Sequence, residues 1–133
     1  MRLHLLTSSQ PYRLRIETRA QSDGLWYSVE YSTFQIGDET TDKYRLEVDG
    51  CTGDAGNPLE GSGAFRHDGM MFSTYDQDND LGDSKCGSTK KGGWWFNACY
   101  RCCLMCRGGY HKSFNLPGNY VVDSRMMIKC QHC

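Results

Sequence analysis

The chain has 133 residues, 38% of them apolar, with 15 Lys and Arg against 16 Asp and Glu and a formal net charge of −1. That length allows one domain with one modest core, and the balanced charge offers no basic face for nucleic acid or an anionic membrane. No run approaches the roughly 18 apolar residues of a membrane helix, and the opening "MRLHLLTSSQ" falls short of a signal peptide's apolar core.

In chain order, that opening segment reads as a first strand already under way. "YRLRIET" then alternates, with Tyr12, Leu14 and Ile16 on one face and Arg13, Arg15 and Glu17 on the other. "LWYSVEYSTF" is rich in aromatic and β-branched residues, and "DKYRLEVDG" aligns Tyr44, Leu46 and Val48 before an Asp-Gly turn. Period-two spacing of this kind predicts half-buried antiparallel strands, joined here by turns at "QSDG" and "IGDETTD". Residues 51–65, "CTGDAGNPLEGSGAF", form a Gly-rich loop, and "HDGMMFST" has the composition of one short strand. Residues 75–91 carry almost no apolar side chain and make a long loop. "GGWWFNAC" returns to core composition, and "YVVDSRMMIKC" reads as a closing strand. The expected fold class is α+β and β-rich, a twisted antiparallel sheet (residues 1–50) followed by a loop-rich portion (residues 51–133).

The long loop contains "DQDNDLGD", where Asp76, Asp78 and Asp80 alternate and Asp83 follows. Such a loop is either a solvated acidic turn or a cage for a hard cation, which takes six to eight oxygens from carboxylates, carbonyls and water. The EF-hand pattern fails: counting from Asp76, the sixth position is Leu81 rather than Gly and the twelfth is Gly87 rather than Glu. The eight cysteines also admit two readings, disulfides in an oxidising compartment or thiolate ligands in a reducing one. Cys103-x-x-Cys106 and Cys130-x-x-Cys133 have the form of a four-thiolate zinc site, with His111 and His132 as spare ligands. The four histidines, His4, His67, His111 and His132, are scattered and no Ser sits in a nucleophile elbow, so no enzyme is expected.

The run "HDGMMFSTYDQDND", followed by Cys86 and "GGWWFNAC", resembles the fibrinogen-related domain, the module of fibrinogen chains, ficolins and tachylectins. The similarity takes in "LHLLTSSQPYRLRIE" and "YSTFQIGDETTDKYRLEVDGCTGDAGNPL", spans residues 3–100, and returns over residues 117–129. The resemblance implies a loop-rich calcium-binding subdomain in which Asp78 and Asp80 supply carboxylates, Gly82 and Ser84 supply backbone carbonyls, and Asp76 stays outside the first ring of ligands. It further implies a Cys86–Cys99 disulfide and a ligand pocket whose floor includes Cys99 and the next residue, here Tyr100 where the family often has His. Members of this family bind acetylated sugars or, in fibrinogen chains, a peptide knob. The resemblance therefore implies a secreted, extracellular, lectin-like module of innate immunity that takes glycan or acetylated ligands, assembles with other chains, and touches neither nucleic acid nor membrane. The alternatives are a chain with only an assembly role and, further off, an intracellular zinc protein.

Two departures accompany the resemblance. The chain starts partway through the family's domain, as an N-terminally truncated member would, and it diverges after residue 100 at "RCCLMCRGGYHKSFNLPG". There Tyr110, His111, Phe114 and Tyr120 are candidates for the pocket wall by their chemistry alone.

Overall fold

A computed structural model describes residues 2–99, 102–107, 110–111 and 114–132. The strands are β1 (Tyr12–Ala20), β2 (Trp26–Ile36), β3 (Leu46–Gly53), β4 (Cys102–Cys103), β5 (Tyr110–His111) and β6 (Val121–Cys130). The helices are α1 (Arg2–Ser9), α2 (Glu39–Asp42) and α3 (Cys86–Lys90), with single 3₁₀ turns at Gly63–Phe65 and Pro117–Asn119.

Four strands form an antiparallel sheet in the order β3-β2-β1-β6, and β4 and β5 make a separate short pair. The alternation in β1 does what the sequence implies: Leu14, Ile16, Thr18 and Ala20 are buried, while Arg13 is exposed and Arg15, Glu17 and Arg19 are half-buried on the other face. Across that outer face Arg15 bridges Glu17 at 2.7 Å and Glu30 at 2.9 Å, and Arg125 of β6 pairs with Glu17. In β2 the period breaks, since Val29 and Tyr31 face inward and so do Phe34 and Ile36. A bulge explains it: Leu14 pairs with Tyr31 but Tyr12 pairs with Phe34, so one extra β2 residue restores the inward phase.

The predicted Asp-Gly turn is instead the middle of β3, which stays paired with β2 as far as Val29 opposite Gly53. Gly50 fits because its φ is +71° and a Cβ there would lie 1.9 Å from Ser32 Oγ. The "IGDETTD" connection folds into α2, capped by Asp38 Oδ1 accepting from the Thr41 N–H at 2.8 Å.

The opening segment is a helix, α1, rather than the expected strand. Two adjacent leucines have no alternation to hold, and Leu is a strong helix former. Its partner in the fold settles the matter: Thr7 Oγ1 accepts from the Ile36 N–H at 3.1 Å, and His4 Nδ1 lies 2.9 Å from the Ile36 carbonyl. Ser9 Oγ donates to the Leu6 carbonyl at 2.8 Å, and Pro11 prevents any continuation. The closing strand is present as β6, paired with β1 along its whole length. "HDGMMFST" contributes one isolated bridge, Ser73 to Trp94, in place of a strand.

One core serves the described residues. Leu14, Ile16, Val29, Tyr31, Phe34, Ile36, Leu46 and Val48 of the sheet cluster with Leu59, Trp94, Trp95, Phe96, Phe114 and Leu116 of the loop-rich part. Among the described residues no helix is long and apolar enough to cross a membrane.

Candidate functional site

The acidic loop hangs from a two-residue clamp on the core. Ser73 N–H donates to the Trp94 carbonyl at 3.0 Å, and Trp94 N–H donates back at 3.1 Å. Beyond the clamp the chain turns: Gln77 N–H donates to the Thr74 carbonyl at 3.3 Å, and Thr74 Oγ1 donates to Asp76 Oδ1 at 2.6 Å. Asp76 is thus occupied with its own turn.

Asn79 points inward. Its N–H donates to Ser73 Oγ and its Nδ2 donates to the Phe72 carbonyl, both at 2.9 Å. With Asn79 tethered, Asp78 and Asp80 on either side converge. Asp80 N–H donates to Asp78 Oδ1 at 3.3 Å, which holds the Asp78 carboxyl against the Asp80 backbone. Asp80 is itself held in place, accepting from the Gly82 N–H through Oδ1 and from the Cys86 N–H through Oδ2, each at 2.9 Å. Burial raises the Asp80 carboxyl above the usual carboxylate range; the Cys86 N–H opposes this, and the neighbouring Asp78 carboxyl adds to it.

The far end of the loop is closed covalently. Cys86 and Cys99 are joined by a disulfide with Cα atoms 5.2 Å apart. The Ser84 carbonyl lies 3.6 Å from Cys86 Sγ and 3.9 Å from Cys99 Sγ. Gly82 sits where an added Cβ would be 3.3 Å from Asp80 Oδ1 and 3.5 Å from Cys86 Sγ, so a side chain there crowds the carboxylate. Asp78, Asp80, Gly82 and Ser84 therefore share one small loop. Among the described residues no group of three or more His, Cys, Asp or Glu side chains converges, so carbonyls and water would have to complete any cation shell.

Asn97 and His67 support the loop. Asn97 accepts from the Leu81 N–H at 2.9 Å through its backbone carbonyl, while its Nδ2 donates to the carbonyls of Gly63 and Arg66 at 3.0 and 3.1 Å. His67 is fully buried, with Nδ1 2.9 Å from the Trp95 carbonyl and Nε2 accepting from the Cys102 N–H at 3.4 Å. In the sequence, the signal for Asn79 is its position between two aspartates, after an apolar segment. Trp94 and Trp95 belong to the core, their rings edge-to-face at 5.2 Å, with Phe72 edge-on to Trp95 at the same spacing.

Of the predicted ligand floor, Cys99 is present with φ +65°, a left-handed conformation that a non-glycine residue adopts only when its surroundings hold it there. Tyr100 lies outside the described residues. Phe114 is buried in the core and Tyr120 is 70% exposed, while the side chains of Tyr110 and His111 are outside the description. A depression of about 300 Å³ opens beside the acidic loop, between Tyr44, Phe72 and Asn79.

The rest of the cysteines bear on the zinc alternative. Cys103 and Cys106 are joined as a disulfide, which removes them as thiolates, and Cys130 is also disulfide-bonded. Cys133 is outside the described residues. Cys51 is a half-buried free thiol and Cys102 a buried one, each pushed up in pKa by burial.

Comparison with known proteins gives this arrangement its context. The chain is similar to techylectin-5A of Tachypleus tridentatus, 33% identical over 115 residues, covering 85% of this chain and 37% of that one. Among solved structures it resembles the fibrinogen-like globe domain of human ANGPTL2, with TM-score 0.80 and 29% identity over 97% of this chain and 62% of that one. It also resembles a lamprey fibrin D-dimer solved with the peptide Gly-His-Arg-Pro-amide, with TM-score 0.72 and 34% identity over 77% of this chain and 34% of that one. The chain spans between 6% and 37% of the length of the curated relatives it matches. Residues 1–122 match the model of the C-terminal globular domain of fibrinogen beta and gamma chains, and the chain belongs to that family.

Proposed function

We propose that the chain is a secreted, calcium-dependent recognition module, lectin-like, whose ligands are acetylated or other glycan groups met in innate defence. The observation that carries this reading is the Asp80 N–H bond to Asp78 Oδ1, which draws the two acidic residues together beside the Cys86–Cys99 bridge. Two acidic groups brought together and fixed by backbone N–H donors repel unless a proton or a cation lies between them. Calcium held by Asp78, Asp80 and the carbonyls of Gly82 and Ser84 would relieve that repulsion and fix the loop leading to Cys99 and Tyr100. Binding rather than catalysis suits the site, because His67, the histidine nearest the loop's support, is spent on two backbone bonds. The likeness to techylectin-5A, by its name a lectin, supports the ligand class.

Calorimetric titration with calcium tests the first half of the proposal. One ion per chain is expected, with a dissociation constant in the extracellular range of about 10⁻⁴ to 10⁻³ M. The Asp78→Asn, Asp80→Asn double variant should show no heat of binding. Retention on an acetylated resin with calcium, and release by chelator, tests the second half. Calcium binding with retention only by immobilised Gly-His-Arg-Pro-amide would reassign the ligand to peptide. Calcium binding with retention on neither would leave an assembly role.

A further inference from the structure

Tyr75 and Asp76 lie in the acidic loop but outside the cation shell proposed above. They form the tip of a turn in which the Thr74 N–H donates to the Gln77 carbonyl at 2.9 Å and the Gln77 N–H donates back at 3.3 Å. Tyr75 is 75% exposed, and Asp76, Gln77 and Asp78 beside it are exposed too. Among the described residues its phenol has no hydrogen-bond partner. A tyrosine that stabilises a fold buries its ring and finds a partner for its hydroxyl, and Tyr75 does neither.

Its charge setting separates it from the other described tyrosines. Tyr31 is buried, Tyr27 donates its hydroxyl to Asp23 at 2.6 Å, and Tyr12 and Tyr44 are each followed by an arginine. Tyr120 is 70% exposed, but within five positions of it Asp123 is the one acidic residue and Arg125 offsets it. Within five positions of Tyr75 stand Asp76, Asp78 and Asp80, with no Lys or Arg. An enzyme that moves a sulfonate group from a nucleotide donor must hold the donor's phosphates in a positive site. Such a site draws in a phenol set among carboxylates. Disulfides such as Cys86–Cys99 form in the oxidising compartments of the secretory route, where protein sulfotransferases rather than tyrosine kinases meet their substrates.

We propose that Tyr75 is a tyrosine O-sulfation site selected by its acidic neighbours, an inference that rests on the secreted reading above for the compartment in which the transferase is met. The phenol oxygen attacks the donor's sulfur and a new O–S bond forms. The S–O bond to the nucleotide phosphate breaks, the nucleotide leaves with that electron pair, and the phenol proton passes to a base of the transferase. The ester adds a fixed negative charge, and Lys91, which lines the same depression of about 450 Å³ as Tyr75, supplies a cation for it.

Transfer of sulfur-labelled sulfonate to the purified 133-residue chain by a tyrosylprotein sulfotransferase tests the proposal, with the labelled residue located by peptide mapping. Transfer in vitro needs no secretion, so its failure counts against Tyr75 and leaves the secreted reading standing. Label is expected on Tyr75, and Tyr75→Phe should lose nearly all of it. Asp76→Asn should slow transfer about threefold to tenfold. Its calcium titration should match the parent's, since Asp76 stays outside the proposed shell. No incorporation, label that survives Tyr75→Phe, label on Tyr120 in preference, or a rate unchanged by Asp76→Asn would overturn the proposal.

Discussion

His67 donates from Nδ1 to the Trp95 carbonyl and accepts at Nε2 from the Cys102 N–H, which requires the neutral ring. Burial pulls its pKa below the ordinary 6.5, against the opposing effect of the Trp95 bond. The unfolded chain therefore binds the proton more readily than the folded one, and the linkage has a definite sign. The contribution of His67 is complete above pH 6.5 and is lost as pH falls below it. Denaturant midpoints measured from neutral to mildly acidic pH should decline in that window, well before depressed carboxyls such as Glu17 and Asp23 begin to titrate. His67→Leu should remove the slope and lower stability by about 2–4 kcal/mol, because it leaves two buried backbone groups without partners. A slope that survives in the variant would assign it to another group. Asp80 has the opposite sign without a cation: its raised pKa makes ionisation a growing penalty as pH rises above 3.8.

At the scale of elements, the bulge in β2 and the left-handed Gly50 act together. Gly50 is opposite the irregular part of β2, and its missing side chain makes room for Ser32. Gly50→Ala should lower stability by about 1–3 kcal/mol, measured by chemical denaturation. Adding Ser32→Ala should recover only the steric part, since φ stays at +71°. Full recovery would mean the backbone conformation costs nothing there. These same elements show what can be read from a sequence. The alternation of Tyr12, Leu14 and Ile16 is a local property of β1, so strand and buried face follow from the residues. α1 does not, because its helical state is set by bonds to Ile36, far along the chain. The Asp-Gly pair misleads for a related reason: a turn signal reports permissive φ, and pairing with β2 uses that freedom inside a strand. In the candidate site, the acidic run was legible as a run and the Cys86–Cys99 bridge from the family likeness. The partners of Asn79, Asn97 and His67 were not, since each serves carbonyls or amides that only the folded chain brings near.

At the scale of the whole molecule, the sheet and the loop-rich part cannot melt separately, because Trp94, Trp95 and Phe96 fill the same core as Leu14, Ile16 and Tyr31. Between β3 and β6 the described residues have little regular structure beyond α3, the 3₁₀ turns and the two-residue strands, so their order derives from that shared core and from the bridges. The Cys86–Cys99 bridge spans 13 positions and the Cys103–Cys106 bridge spans 3. Closing the longer loop restricts the unfolded chain by about 3 kcal/mol and the shorter by about 2 kcal/mol. Cys86→Ala with Cys99→Ala should therefore destabilise the fold more than Cys103→Ala with Cys106→Ala. The loss should appear equally in far-ultraviolet dichroism, which follows the sheet, and in tryptophan fluorescence, dominated by buried Trp94 and Trp95. Coincident curves from the two probes follow if one core holds both parts. A fluorescence transition that precedes the sheet transition in the Cys86→Ala, Cys99→Ala variant would show that the bridge, rather than the shared core, couples the acidic loop to the rest of the chain.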